Sequence, residues 1–249
     1  MRTVYGPIDS WRFGRSLGID PLAQKTKLCP LSCIYCQYGP TAQPTHQRRT
    51  CVSAEQLEND LHELGPLDCD QITFAGLGEP TLARNLAQLA ECARRHAPAP
   101  IAILTGSALL PRADVRRDLL SFDRVVVKLD APNERLFRQI NRPSRAFPHS
   151  WAAMIEGIRL LRRAFSGHLS LQTMFVQANA DCGRQMAEWA DSLDVDEIHL
   201  NTPLQPALGG PVSAAQMDRI ARAFDRLPAH VIVRNIYHNG RARAKPRSL

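Results

Sequence analysis

The stretch Gln71-Ile-Thr-Phe-Ala-Gly-Leu-Gly-Glu-Pro-Thr81 passes from a short β-type run into a glycine-containing turn and then to a proline that can start a helix. The same change from a β-type run to a helical pattern recurs along the chain, which is typical of βα units and a parallel sheet. The predicted strands cover residues 71–75, 101–104, 124–128, 169–175 and 197–201, after a first strand that runs into Lys27-Leu28. About six such units predict an α/β fold, a barrel or partial barrel with its site at the C-terminal rim.

Helices are predicted between the strands, where apolar residues recur at helical spacing. Two of them begin with capping-box patterns, Ser53-Ala-Glu-Gln56 and Ser213-Ala-Ala-Gln216. The apolar stripes are interpreted as core faces and comprise Leu57, Leu61, Leu64, Leu82, Leu86, Leu89, Ile155, Ile158 and Leu161. His62 and His96 fall in or at the end of amphipathic helices, and the pattern assigns them no site.

The chain has 249 residues, 44% of them hydrophobic, which is enough for the core of one α/β domain. We expect the barrel and an N-terminal extension in residues 1–205, and a helix, a strand and a basic tail in residues 206–249. No apolar run approaches the roughly 20 residues of a membrane span, and the N-terminus lacks the apolar segment of a signal peptide. Seven cysteines, an odd number, favour a reduced cytoplasmic setting with metal or redox chemistry over disulfides.

The charge distribution is basic, with 31 Lys and Arg against 24 Asp and Glu and a formal net charge of +7. No acidic residue follows Asp225, whereas basic residues accumulate after it: Arg226, Arg234, Arg241, Arg243, Lys245 and Arg247. Such a tail would attract an anionic partner such as RNA. A solvated, frayed terminus is the alternative interpretation.

Three thiols lie within eight residues in Cys29-Pro-Leu-Ser-Cys33-Ile-Tyr-Cys36. A structural zinc ion normally takes four ligands, and the next cysteines, Cys51 and Cys69, stand alone. A [4Fe-4S] cluster is the other natural guest for clustered thiolates, and three protein ligands would leave one of its irons open. The motif therefore favours an iron–sulfur cluster with a vacant position for a substrate or cofactor.

The cysteine spacing with Tyr35, followed by Gly76-Leu-Gly78-Glu79-Pro, resembles the two signatures of the radical S-adenosylmethionine (SAM) superfamily. The resemblance implies that the open iron of the [4Fe-4S] cluster binds SAM. An external one-electron reductant of flavodoxin or ferredoxin type would then drive cleavage to a 5′-deoxyadenosyl radical that abstracts hydrogen from a substrate. It also implies that Tyr35 packs beside the adenine, that Gly76 and Gly78 allow close backbone approach, and that Glu79 accepts from the SAM ammonium.

Further segments resemble a narrower branch, the proteins related to the tRNA wyosine synthetase: Tyr5-Gly-Pro, Gly14-Arg-Ser-Leu-Gly-Ile-Asp-Pro21, Cys36-Gln-Tyr-Gly39, Ile140-Asn-Arg-Pro143 and Leu200-Asn-Thr-Pro203. The resemblance implies a partial (β/α)6 TIM-like barrel of the radical SAM type. The carry-over places Lys128 and Asp130 against the SAM carboxylate and ribose, with a surface ion pair as the alternative. It places Gln172 and Asn201 against the ribose or adenine, with a satisfied buried polar group as the alternative for each.

Two departures limit the resemblance to that branch. The chain reads Leu-Thr105-Gly-Ser-Ala where relatives often show Thr-Asn-Gly-Ser, and no cysteine precedes Cys29 to hold a second cluster. Wyosine chemistry itself is therefore not transferred. The predicted function is a radical SAM oxidoreductase or transferase of unidentified substrate, with an RNA base as one candidate. A glycyl-radical-activating or peptide-modifying enzyme is the first alternative, and a non-catalytic iron–sulfur or zinc module is the second.

Overall fold

The computed structural model describes residues 2–65, 68–204 and 208–238, and the fold is one curled sheet with helices on its outer side. The eight strands follow one another across the sheet in chain order. They are β1 (Val4–Ser10), β2 (Gly14–Ile19), β3 (Gln71–Phe74), β4 (Ile101–Thr105), β5 (Arg124–Lys128), β6 (His168–Met174), β7 (Glu197–Asn201) and β8 (Ile232–Asn235). Strands β2 to β8 are parallel, and β1 runs antiparallel to β2. The predicted partial barrel is confirmed.

The helices alternate with the strands, as the sequence pattern predicts. They are α1 (Ala54–Leu64), α2 (Leu86–His96), α3 (Ala113–Leu119), α4 (Glu134–Ile140), α5 (Trp151–Ala164), α6 (Gly183–Ser192) and α7 (Ala214–Ala223). Eight of the nine predicted stripe residues lie in one core between helices and sheet, where Leu57, Leu86 and Ile158 are fully buried. The assignment of Leu64 to the core face is wrong, because this last residue of α1 is exposed. Among the described residues, no helix combines the length and apolar character that crossing a membrane requires.

The two predicted capping boxes differ in the structure. Ser213 Oγ accepts a hydrogen bond from Gln216 N at 3.2 Å, and the Gln216 side chain accepts one from Ser213 N at 2.8 Å, which completes the reciprocal pair. Ser53 Oγ accepts from Gln56 N at 3.0 Å. The capping box is therefore complete at the start of α7, whereas the start of α1 has only the bond to the Ser53 side chain.

The predicted first strand at Lys27-Leu28 is wrong. Within the described residues, Leu28 forms an isolated bridge with Gly78, and the first parallel strand is β2. Leu17 and Ile19 of β2 are fully buried in the outer core, whereas Lys27 turns its ammonium to the carbonyl of Gly39 at 2.7 Å. Five other predicted strands agree with β3 to β7 to within one residue at each end.

Polar and apolar side chains alternate across the sheet because successive strand residues face opposite sides. Val125, Val127, Ile198 and Leu200 face the helices and join the outer core. Val126 and Ala102 face the concave side, where Phe13 from the β1–β2 turn packs on them. Residues of the same parity as Val126 on β5, and their partners in register on β6 and β7, therefore face the inside of the half-barrel.

The segment 206–249 contributes α7 and β8 to the described structure, and β8 pairs in parallel with β7. The final strand of the sheet therefore comes from beyond residue 205. The basic residues Arg241, Arg243, Lys245 and Arg247 lie outside the described residues. The division of the chain at residue 205 stays a prediction.

Candidate functional site

A cavity of about 480 Å³ opens at the carboxyl ends of the parallel strands, within the size range of small-molecule and cofactor sites. Its walls come from the cysteine loop, the ends of β3 to β7 and the residues that follow them. All eleven predicted site residues line it: Cys29, Cys33, Tyr35, Cys36, Gly76, Gly78, Glu79, Lys128, Asp130, Gln172 and Asn201. A larger cavity of about 670 Å³ at α7 and β8 contains none of them.

The cysteine loop is fixed from two sides by backbone hydrogen bonds. On one side, Glu79 N donates to Leu28 O at 2.8 Å, next to the Leu28–Gly78 bridge. On the other, Ile34 N donates to Ile140 O at 2.9 Å. These bonds hold the loop between the turn after β3 and the end of α4.

Cys29, Cys33 and Cys36 all line the cavity. A structural zinc ion normally takes four ligands, and no fourth cysteine lines the cavity within the part of the chain that the structure describes. Burial raises the pKa of the Cys29 and Cys33 thiols, and the Lys128 charge opposes this at Cys33. Three soft thiolate donors on one loop fit an iron–sulfur cluster.

A buried polar network joins the cysteine loop to the end of β5. Tyr35 Oη donates to Asp130 Oδ2, Lys128 Nζ donates to Tyr35 Oη at 2.7 Å, and Lys128 Nζ lies 4.2 Å from the Tyr35 ring centroid. Asn141 Nδ2 donates to Asp130 Oδ2 at 2.8 Å and lies 3.4 Å from Cys33 Sγ. Burial, followed by the charge of Asp130, raises the pKa of Tyr35 well above its ordinary value, so its hydroxyl keeps its proton.

Glu79 is 2% exposed and is held by its own chain at the ends of β3 and β4. Its Oε1 accepts from Thr81 N at 3.1 Å, Thr81 Oγ1 at 2.6 Å and Thr105 Oγ1 at 2.7 Å. Among the described residues, its Oε2 accepts one protein hydrogen bond, from Gly106 N at 2.7 Å. A carboxylate oxygen has two acceptor sites, so Oε2 retains capacity for one further donor.

The two glycines before Glu79 are required by contacts within the protein. Gly78 has a φ of 149°, and a Cβ there would lie 2.0 Å from Leu28 O. A Cβ on Gly76 would lie 2.1 Å from Asp20 Cγ. The backbone of this turn therefore lies very close to other parts of the protein: Gly78 lies against Leu28, and Gly76 lies against the side chain of Asp20.

Gln172 and Asn201 project from neighbouring strands into the same cavity. Gln172 pairs in register with Lys128, and its Oε1 accepts from Arg12 Nη1. Asn201 is 8% exposed, and its Oδ1 accepts from Thr202 N at 2.8 Å. These bonds use only the carboxamide oxygen of each residue, so the carboxamide can form further hydrogen bonds.

Arg12 is a cavity residue that the sequence analysis missed. It lies in the turn between β1 and β2, and its buried Nε has no hydrogen-bond partner in the part of the chain that the structure describes. Burial lowers the pKa of Arg12 to about 10, and the charge of Glu197 opposes this shift. No motif marks Arg12, because its cavity partner Gln172 lies 160 residues further along the chain.

Asn141, Lys27 and Thr105 also line the cavity and were not predicted as site residues. Asn141 stands in Ile140-Asn-Arg-Pro143, one of the segments that carried the resemblance, so a signal for it existed. Thr105 stands in the segment after the third predicted strand, where the chain departs from its relatives. The Thr105 hydroxyl donates a hydrogen bond to Glu79 Oε1 and so helps to fix the Glu79 carboxylate at that wall of the cavity.

The family model described as the radical SAM superfamily matches residues 24–190, which is more than half of the sequence. The chain belongs to the radical SAM superfamily, and membership supports an enzyme that uses SAM and an iron–sulfur cluster. The prediction of the superfamily is thereby confirmed.

Two relatives carry the description UPF0026 protein. The one from Synechocystis sp. is 34% identical and aligns with 82% of this chain and 76% of its own length. The one from Methanocaldococcus jannaschii is 36% identical and aligns with 83% of this chain and 65% of its own. Neither description states a substrate or a link to wyosine synthetase, so that narrower relation stays a prediction.

The fold is similar to that of the SAM-bound structure of SuiB from Streptococcus suis, with a TM-score of 0.67 and 12% sequence identity. The match covers 88% of this chain and 49% of SuiB. This chain therefore spans about half the length of SuiB, and the likeness establishes the barrel architecture alone.

Proposed function

We propose that this chain binds a [4Fe-4S] cluster and SAM in the 480 Å³ cavity and cleaves SAM reductively to start a radical reaction on a substrate at the rim. The observation that carries the proposal is the convergence of residues from distant parts of the chain. Residues chosen from sequence at 29–36, 76–79, 128–130, 172 and 201 line one cavity at the carboxyl edge of the sheet. In a parallel barrel, this edge is where catalytic groups gather.

Cys29, Cys33 and Cys36 would hold the cluster, since they supply three thiolates from one loop at the cavity. When bound, the cluster would supply one electron, taken from an external flavodoxin-type or ferredoxin-type donor, for the cleavage of SAM to methionine and a 5′-deoxyadenosyl radical, which abstraction of a substrate hydrogen atom would convert to 5′-deoxyadenosine.

The protein's own side chains would bind and orient SAM. Lys128 is a cation near the thiol loop and is suited to the SAM carboxylate, while Glu79 Oε2 has room for one bond from the SAM ammonium. Gln172 and Asn201 offer amide groups for the ribose or adenine. The Asp130 carboxylate already accepts hydrogen bonds from Tyr35 Oη, Asn141 Nδ2 and Met174 N. Its main role would therefore be to position Tyr35 and Lys128.

The proposal is tested by anaerobic reconstitution with iron and sulfide, followed by dithionite and SAM. The native chain should hold about four irons and release 5′-deoxyadenosine, whereas Cys33→Ala should lose both because two thiolates cannot hold the cluster. Cys51→Ala is the matched control, since Cys51 does not line the cavity. Iron-loaded native protein that released no 5′-deoxyadenosine, or a Cys33→Ala variant with full activity, would contradict the proposal.

For the substrate we propose an RNA base, as in the wyosine-related branch. The support is the formal charge of +7, because neutralisation of phosphates by Lys and Arg gives affinity that falls with salt. A gel shift with tRNA should show binding that weakens by about tenfold or more between 50 and 200 mM salt. Absence of binding at low salt would remove RNA and favour a protein or small-molecule substrate.

A further inference from the structure

A second group of metal-type ligands lies on the helical layer, away from the cavity. Among the described residues, Glu58, His62 and His96 form the group of ligand atoms that all lie within 4.8 Å of one another. Glu58 and His62 are four residues apart on α1 and so share one face of that helix. His96 is the last residue of α2, the next helix in the chain. None of the three lines the 480 Å³ cavity.

His96 has the surroundings of a metal ligand more than those of a hydrogen-bonded histidine. Its Nε2 is buried and has no hydrogen-bond partner within residues 2–65, 68–204 and 208–238, although Glu58 Oε1 lies 3.6 Å away. That separation exceeds the roughly 2.7–3.2 Å of a hydrogen bond. Two ligands of one tetrahedral ion, each bonded at about 2.1 Å, lie about 3.4 Å apart. The gap between His96 and Glu58 therefore suits a shared ion.

The second imidazole completes this arrangement. The rings of His62 and His96 meet edge to face, with centroids 4.6 Å apart and an angle of 86° between their planes. Arg95 competes for Glu58 at 3.8 Å, but the Arg95 side chain is 59% exposed and so remains solvated without that contact. Displacing it costs little compared with a metal–carboxylate bond.

We propose that Glu58, His62 and His96 form a binding site for a divalent transition-metal ion of the zinc class. Two imidazoles and one carboxylate are an established zinc donor set that leaves one position for water. Among first-row ions, a nitrogen and oxygen site of this kind prefers zinc to ferrous iron. The ion would tie α1 to the end of α2 and so stabilise the outer layer of the half-barrel. This site does not depend on SAM cleavage.

The test is a zinc titration of the full chain after the iron–sulfur cluster has been assembled, so that the loop thiols are occupied. The native chain should take up one zinc ion, and both His96→Gln and Glu58→Gln should weaken binding by at least about tenfold. His238→Gln is the control, because His238 forms a different His–carboxylate pair, with Asp218 at 2.9 Å. It should bind zinc like the native chain. Glu58 has a half-exposed side chain, so its variant keeps the test valid if His96→Gln does not fold.

X-ray absorption at the zinc edge identifies the ligands independently of affinity. The expected spectrum shows imidazole nitrogen and oxygen neighbours without sulfur. Sulfur around the zinc would place it on cysteines and overturn the proposal. Failure of the native chain to take up zinc, or equal zinc affinity in the native chain and the Glu58→Gln variant, would overturn it as well.

Discussion

Asn141 connects the cysteine loop to the strand ends through one side-chain amide. Its Nδ2 lies 2.8 Å from Asp130 Oδ2, 3.2 Å from the Tyr35 hydroxyl and 3.4 Å from Cys33 Sγ. The residue is 5% exposed, so water cannot replace these contacts easily. Asn141 is therefore a positioning residue for a thiol and for the network around Tyr35.

We expect Asn141→Ala to lower the free energy of unfolding by about 1–3 kcal/mol, because it removes one donor from each of the buried acceptors on Asp130, Tyr35 and Cys33. We also expect about a tenfold loss in the rate of 5′-deoxyadenosine formation, the size typical of residues that orient metal ligands. Urea unfolding and single-turnover product analysis measure the two effects separately.

Asn85→Ala serves as the matched control for this variant. Asn85 Nδ2 donates to Val52 O at 3.0 Å and lies outside the cavity. Its loss should reduce stability with no effect on 5′-deoxyadenosine formation. If Asn141→Ala formed product at the native rate, the positioning role would be wrong.

Residues with a local motif were predictable, and residues placed by distant contacts were not. Cys33 and Glu79 stand in short patterns that the chemistry requires. Asn141 reaches Cys33 across 108 residues, a contact that no local pattern encodes. Asp130 was predicted at the right edge, but its bonds to Tyr35 and Met174 N depend on how the whole rim closes.

At the scale of elements, strands buried on both sides were predicted well. The Val125-Val-Val127 run of β5 is fully buried, and β-branched residues in a continuous run favour such a strand. Strand β2 was missed because it begins with the exposed residues Gly14 and Arg15 and with a positive φ of 65° at Gly14. Its buried part, from Ser16 to Ile19, is too short to stand out by itself.

The β1–β2 hairpin is the element with the largest unpredicted effect. Its turn places Trp11 5.7 Å from the ring of His199, and Phe13 packs on Ala102 and Val126. The turn thereby occupies the concave side of the sheet and brings Arg12 to Gln172. The sequence of residues 4–19 does not indicate that the turn of this hairpin contacts β6 and β7.

At the scale of the whole molecule, Glu197 links four neighbouring strands at the amino end of β7. It is 2% exposed, and it faces Arg124 at 3.8 Å, His168 at 3.1 Å, His199 at 3.5 Å and Arg234. Burial alone would raise the pKa of Glu197, but the hydrogen bond with His168, the neighbouring His199 imidazole and the charge of Arg234 lower it below its ordinary value of 4.5. The ionised carboxylate is therefore the favoured folded form.

A lowered folded-state pKa means that Glu197 contributes stability above pH 4.5, and that this contribution is lost as the pH falls through the folded-state value. We expect Glu197→Gln to lower the free energy of unfolding by about 3 kcal/mol at pH 7, because it leaves partly buried cations unpaired. The difference between the native chain and the variant should shrink as the pH falls from 5 to 3. Urea unfolding at several pH values, with the same cluster content in both proteins, measures this trend.

Glu188→Gln is the control for the pH series. Glu188 forms an exposed pair with Arg184 on α6 at 3.1 Å, and exposed pairs contribute less than about 1 kcal/mol. A constant difference between the native chain and Glu197→Gln across pH 3–5 would show that the Glu197 carboxylate does not titrate below its unfolded value.

The two backbone attachments of the cysteine loop form at different stages of chain synthesis. One attachment, Leu28 to Gly78, forms within the first third of the chain, but the other requires Ile140 at the end of α4. The three sulfurs can reach their final spacing only after the ribosome has released more than half of the polypeptide. We therefore expect stable binding of a cluster only after the chain has been synthesised past Ile140.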